Sequence, residues 1–177
     1  MSSIYRQKID RWLKDQTFEG KSVLDVGGGA KESKNLVKDF DRYLVLDIDE
    51  STKPDIIHDL NEFKHQDQIF TAEREKQFDL IFCLHVFEYI HNPYTAMANL
   101  YSWLKPEGTL VVNFPFIYPI HKPEGIDYLR YTHEFVNHYF TKSFTFSEVE
   151  HTIIETDSSL LKAYYAQDKT HMRNDEN

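Results

Sequence analysis

The run Val23-Leu24-Asp25-Val26-Gly27-Gly28-Gly29 sets three glycines directly behind a short apolar stretch that carries a carboxylate. Where a buried strand reverses toward a helix over a ligand, missing Cβ atoms permit both the turn and the close approach. Counted from Gly27, a dinucleotide fingerprint requires glycine again where this chain has Glu32, and no Gly-Lys-Ser/Thr follows to make a phosphate loop. Pyrophosphate is therefore a poor fit, and the glycines could also do no more than make a tight turn. Leu44-Val45-Leu46-Asp47 is a second apolar run closed by an acid. At the carboxyl end of a parallel strand such an acid meets the two hydroxyls of a ribose, with roughly 1.5–3 kcal/mol available from each charge-assisted hydrogen bond. Asp49 is either its partner or a helix cap. Ile57-His58-Asp59-Leu60 ends a third run with a carboxylate placed to accept from an exocyclic amine, although alone it also reads as a solvated loop acid.

These groups need a scaffold that brings strand ends together. Strands are expected over Lys21 to Val26, Arg42 to Asp47, Asp55 to His58, Phe78 to Cys83 and Thr109 to Phe114. Between them the spacing predicts a helix bearing Leu36, Val37 and Phe40, a polar helix over about residues 66–75, and a helix from Tyr94 to Leu104. Ile4, Tyr5, Ile9, Trp12 and Leu13 make an amphipathic helix over about residues 3–16, expected to cover part of the body. Strands alternating with helices argue for an α/β parallel sheet with helices on both faces. Pro115, Pro119, Pro123 and Gly125 make residues 115–131 a long irregular loop, the kind that is often functional. After a helix near His133 to Phe140, Ser143 to Glu155 and Ser159 to Gln167 read as an antiparallel hairpin. The expected whole is a Rossmann-like, mostly parallel seven-stranded sheet in one domain over residues 1–167, with a disordered tail over 168–177.

Bulk properties narrow the partners. At 177 residues and 41% apolar content the chain suits one soluble core. Its 20 basic and 29 acidic residues leave a net charge of −9, which repels phosphate backbones, so nucleic acid is not an expected partner. Charged residues from Arg6 to Asp15 interrupt any leader-like run, and no stretch is long enough to cross a bilayer. Cys83 is the one cysteine, which excludes an internal disulfide or a cysteine-rich zinc site. The nine histidines show no tight ligand spacing, so no metal is expected, and a reducing cytoplasm fits best.

With Phe78-Asp79-Leu80-Ile81-Phe82-Cys83-Leu84-His85-Val86-Phe87-Glu88-Tyr89-Ile90 and Leu104-Lys105-Pro106-Glu107-Gly108-Thr109-Leu110 following in order, the chain resembles the class I S-adenosylmethionine-dependent methyltransferases from about Ser22 to Gln167. The resemblance implies that Asp25, Gly27, Gly28 and Gly29 form the loop under the methionine part of S-adenosylmethionine. It implies that Asp47 takes the ribose, Ile48 flanks the adenine, Asp59 faces the adenine amine and Leu60 packs on the ring. Cys83, Leu84 and His85 would line the site at the end of the fourth strand. Two departures stand out: Lys31 replaces a glycine common in the family, and Tyr89 stands where many relatives have histidine. Phe114-Pro115-Phe116-Ile117-Tyr118-Pro119-Ile120-His121 with Asp127-Tyr128-Leu129-Arg130-Tyr131-Thr132 resembles a compact bacterial subgroup that often accompanies surface-sugar or secondary metabolism.

Methyl transfer by direct displacement mainly requires that an acceptor be held in line, about 3–3.5 Å from the methyl carbon. A hydroxyl acceptor would gain from a base, for which His121, Asp127 and His85 are the candidates. Tyr118, Tyr128, Arg130 and Tyr131 could orient a small-molecule acceptor, with Arg130 favouring an anionic one. The alternative is that these aromatics pin the loop while Arg130 pairs with Glu124 or Asp127. Two other functions compete: a non-catalytic S-adenosylmethionine-binding scaffold, and a nicotinamide-dependent oxidoreductase, which Glu32 and the short chain disfavour.

Overall fold

The computed structural model describes residues 4–29, 32–64, 78–116, 126–146, 148–150 and 152. The chain divides into two compact units, Gln16–Val149, which carries the sheet, and a second to which the first helix belongs. That helix, α1 (Ile4–Asp15), buries Ile9 and Leu13 one turn apart and carries Lys14 in its last turn, which suits the negative end of its dipole.

The sheet consists of β1 (Ser22–Val26), β2 (Arg42–Asp47), β3 (Ile56–Ile57), β4 (Phe78–Cys83) and β5 (Leu104–Val112), ordered β3-β2-β1-β4-β5 with every pair parallel. β1 is buried along its whole length and β4 nearly so, as expected of central strands covered on both faces. After β3 the chain crosses back to the other side of β1. The strand order therefore reverses between β1 and β4, and such a crevice at the carboxyl edge is where open α/β sheets bind ligands. At the opposite edge Asp79 accepts from the Ser22 amide at 2.8 Å and from Lys105 Nζ at 2.9 Å, tying β4 to β1 and β5.

A second helix, α2 (Pro93–Trp103), starts with Asn92 accepting from the Thr95 amide and Pro93 in the first turn. It buries Ala96, Met97, Leu100 and Trp103 in one cluster with Phe78, Ile81 and Cys83 of β4. Its buried Asn99 donates to the carbonyls of Leu60 and Glu62 at 3.2 and 2.8 Å, which fixes the segment following β3.

Several expectations are corrected. The segment after the glycine turn forms a 3-10 helix, Glu32–Leu36, rather than a helix that also carries Val37 and Phe40, and Val37 bridges to Phe18. β3 is two residues long, and β5 begins at Leu104 rather than Thr109. The seven-stranded sheet closed by an antiparallel hairpin is replaced, among the described residues, by five strands, all parallel. Ser143 ends a helical segment that is α-helical at His133–Phe135, π-helical at Val136–Phe140 and α-helical again at Thr141–Ser143. Phe144 then donates its amide back to the Phe140 carbonyl, and its ring packs with Tyr94, Tyr101 and Phe146. The alternation that reads as a strand thus serves aromatic packing. The second hairpin run, Ser159 to Gln167, the polar helix over 66–75 and the tail over 168–177 lie outside the described residues.

Candidate functional site

Asp25 closes β1 with its carboxylate turned inward, only 1% exposed. Register explains its partner: Tyr43 pairs with Val23, and Val23 shares a face with Asp25, so the phenol reaches Asp25 Oδ2 and donates at 2.6 Å. Ser33 is the second hydrogen-bond partner. Burial holds the Asp25 carboxyl above the usual carboxylate range, with the Asp47 charge adding to the rise, although the Tyr43 and Ser33 bonds favour ionisation. Burial and the same bond push the Tyr43 phenol far above its ordinary range. Above this pair lies the glycine turn. Gly27 has φ +70°, and a Cβ there would overlap Val86 Cγ2. A Cβ on Gly28 would fall on the Asp25 carboxylate itself. Asp25 therefore supports the turn from beneath.

Asp47, at the end of β2, accepts from the Asp49 amide through Oδ1 at 3.0 Å, while its Oδ2 lies 3.5 Å from where Gly29 would carry a Cβ. The backbone of Gly29 and the second strand's acid thus share one rim. Asp49 caps the 3-10 helix Glu50–Thr52 by accepting from the Ser51 amide at 2.9 Å, which answers its open assignment in favour of a cap. Ile48 between them is 65% exposed, a large apolar side chain standing free on the rim. β3 is tied in when His58 donates its amide to the Asp47 carbonyl at 3.2 Å. Asp59 accepts through Oδ1 from both the amide and the side chain of Asn61, at 2.9 and 2.8 Å. Leu60 is buried in the core cluster.

On the other side of β1, Cys83 is fully buried and burial raises its thiol well above the ordinary range. Leu84 and His85 are half-buried and follow it at the carboxyl edge. His85 has φ +58°, and its amide donates to Asn113 Oδ1 at 2.7 Å.

The candidate acceptor residues divide. His121 and Tyr118 lie outside the described residues. Asp127 and Arg130 are brought together as a bidentate ion pair, with the Asp127 side chain 1% exposed, so each engages the other. Tyr131 is buried and donates its hydroxyl to the Phe87 carbonyl at 2.9 Å, within an aromatic cluster that includes Phe114, Phe135 and Phe140. Tyr128 is exposed, with its ring edge against His91 at 5.3 Å. The Tyr128 and Leu129 amides donate to the Glu88 carbonyl, fastening this segment to the 3-10 turn Phe87–Tyr89.

Sequence reasoning passed over Tyr43, Asn61 and Asn113. Asn61 carries the most connections, since its Oδ1 also accepts from the amides of His91 and Asn92 at 2.9 and 3.0 Å, joining the Asp59 loop to the start of α2. Its position two residues after Asp59 is the signature of an Asx-type turn and could have marked it. Among the described residues no group of three or more His, Cys, Asp or Glu side chains could hold a metal ion, and no helix is long and apolar enough to cross a membrane.

Residues 1–150 match the methyltransferase-domain family. A malonyl-[acyl-carrier protein] O-methyltransferase of Halalkalibacterium halodurans is 28% identical over 116 residues, which is 59% of this chain and 43% of that protein. The chain thus spans less than half the length of this curated relative. A solved structure of Haemonchus contortus phosphoethanolamine N-methyltransferase 2, in complex with S-adenosyl-L-methionine, is 15% identical and superposes with a TM-score of 0.53 over 97% of this chain and 43% of its own. That likeness shows the shared fold. With the family match covering most of its length, the chain belongs to the class I methyltransferase-domain family.

Proposed function

We propose that this protein binds S-adenosylmethionine over the ends of β1, β2 and β3 and transfers the methyl group to a small molecule held over β4 and β5. The carrying observation is the rim made by Gly27 at φ +70°, Gly29 and Asp47 Oδ2 at the reversal of strand order. The cofactor fits this rim chemically. Cβ positions on Gly27 and Gly28 are taken from below and beside by Val86 and Asp25, so the turn presents bare backbone as its floor. Asp47 would hold the ribose hydroxyls with a carboxylate of which one oxygen is already oriented by the Asp49 amide. Exposed Ile48 would flank the adenine, and Asp59, held by Asn61, would accept from its amine. When bound, S-adenosylmethionine supplies a methyl group activated for direct displacement.

The relatives' printed names differ in the atom methylated, oxygen in one and nitrogen in the other, so they support the methyl donor and leave the acceptor to this chain's own residues. A net charge of −9 disfavours nucleic acid as that acceptor. Of the candidate bases, Asp127 is turned into Arg130, His121 lies outside the described residues, and His85 follows β4 in the turn whose Val86 meets Gly27. For a hydroxyl acceptor such as a sugar, the two histidines are the candidate bases.

Calorimetric titration with S-adenosylmethionine and its demethylated product, set against NAD and ATP, tests the reading. The first pair is expected to bind, and at about 100 times the dissociation constant to add roughly 2.7 kcal/mol of stability. Folded protein that binds neither would refute it.

A further inference from the structure

We propose that Asn113 is a positioning residue, whose side-chain amide holds the turn after β4 in the left-handed backbone conformation that seats Val86 against the glycine turn. The backbone ladder between β4 and β5 ends with Cys83 opposite Val112. One residue beyond the end of β5, the Asn113 side chain takes over: its Oδ1 accepts from the His85 amide at 2.7 Å, a side chain continuing what backbone carbonyls did before it. His85 at that point has φ +58°. A residue with a Cβ pays for this conformation through its contact with the following carbonyl oxygen, and histidine persists there only when its surroundings fix it. The next residue shows what the turn achieves. Val86 Cγ2 occupies the place that a Cβ on Gly27 would need, so the turn after β4 and the turn after β1 interlock at the reversal of strand order. Asn113 thus acts on the glycine turn through two intermediates, the His85 backbone and the Val86 side chain.

The functional consequence rests on the cofactor reading above; the structural one does not. The test is a double-mutant cycle of Asn113→Ala and His85→Gly, with Asn113→Asp as the conservative variant, read by calorimetric titration with S-adenosylhomocysteine. Asn113→Ala should weaken binding about tenfold, and Asn113→Asp, which keeps an acceptor oxygen in place, should stay within about threefold of the parent. In a chain already carrying His85→Gly, adding Asn113→Ala should change affinity less than about twofold, because glycine takes a positive φ without an anchor. Equal losses with and without His85→Gly would overturn the inference. So would an aspartate variant as weak as the alanine variant, a comparison that survives if Asn113→Ala does not fold. A parent chain that binds no S-adenosylhomocysteine would defeat the functional reading instead. Amide hydrogen exchange then decides the inference alone: Asn113→Ala should speed exchange at His85 relative to Cys83, and unchanged exchange would sink it.

Discussion

On one flank of the reversal point the strands end in carboxylates; on the other they lead into aromatic rings. Asp25, Asp47 and Asp59 close or follow β1, β2 and β3, each with an oxygen held by a donor from a neighbouring residue or strand. Beyond β4 and β5 the chain packs Phe87, Phe114, Tyr131 and Phe140 into one cluster, and a partly buried ion pair in that segment joins Asp127 to Arg130. The first flank is built for a fixed set of polar contacts at strand ends. The second is built by packing, where side chains can change without moving the sheet, and a family that keeps one donor while changing acceptors would divide its labour in this way.

Gly27→Ala should disturb this division most. A Cβ at φ +70° costs about 1–2 kcal/mol, and its overlap with Val86 roughly 1–3 kcal/mol more. Titration of the folded variant should show S-adenosylmethionine binding weakened about 100-fold or more. Parent-like affinity would mean that the cofactor does not sit on the turn.

Asp47→Ala comes next, with affinity expected to fall about 10- to 100-fold through the loss of roughly 1.4–2.8 kcal/mol of hydrogen bonding. Its exposed bond to the Asp49 amide can be replaced by water, so the melting temperature of the unliganded protein should hold. Asp47→Asn should be milder. A folded alanine variant that binds as tightly as the parent would remove the ribose assignment.

His58 probes what lies beneath the carboxylate flank. Its ring is buried, edge-on to Trp103 at 5.9 Å. Burial, helped by the Lys64 charge and opposed by Glu62 and Asp59, holds its pKa below the ordinary imidazole value. The unfolded chain therefore binds the proton more readily. The neutral ring's contribution is fully present above about pH 6.5 and is lost as pH falls from there toward the lower folded value, by at most about 1.4 kcal/mol per pH unit. Urea denaturation at pH 7.5 and 5.5 should show this loss in the parent and a smaller one in His58→Phe. Identical slopes would show that another group carries the pH dependence.

The aromatic flank should matter least to the cofactor. Asp127→Ala or Arg130→Ala should leave S-adenosylmethionine affinity within a few-fold, even though breaking this partly buried pair lowers stability. A large affinity loss in a variant that remains folded would place this segment on the cofactor and erase the contrast between the flanks.

The two flanks also differ in how far the sequence reveals them. Val23 to Val26 and Leu44 to Asp47 are apolar runs whose ends announce themselves through a glycine cluster and a carboxylate, and both become neighbouring parallel strands. The bond between Tyr43 and Asp25 depends on the register of those strands, which no local pattern in either segment encodes. Phe144 and Phe146 alternate with polar residues as a strand would, yet their rings serve a cluster with Tyr101. The left-handed backbone of His85 is not announced by its neighbours in sequence, because its anchor Asn113 lies 28 residues further along the chain.

The solitary Cys83 supplies a built-in reporter. Its backbone ends β4 between Val26 of β1 and Val112 of β5, and its thiol points into the buried cluster on one face of the sheet, with no surface exposed. A thiol-modifying reagent can reach it only when the cluster that covers this face of the sheet opens. With reagent in the regime where reclosing outruns labelling, the rate of modification measures the population of that open form. Any small molecule that staples the ends of β1 and β4 together should slow the reaction in proportion to its occupancy. A collection of unlabelled compounds could thus be ranked by protection of one sulfur atom, before any turnover assay exists.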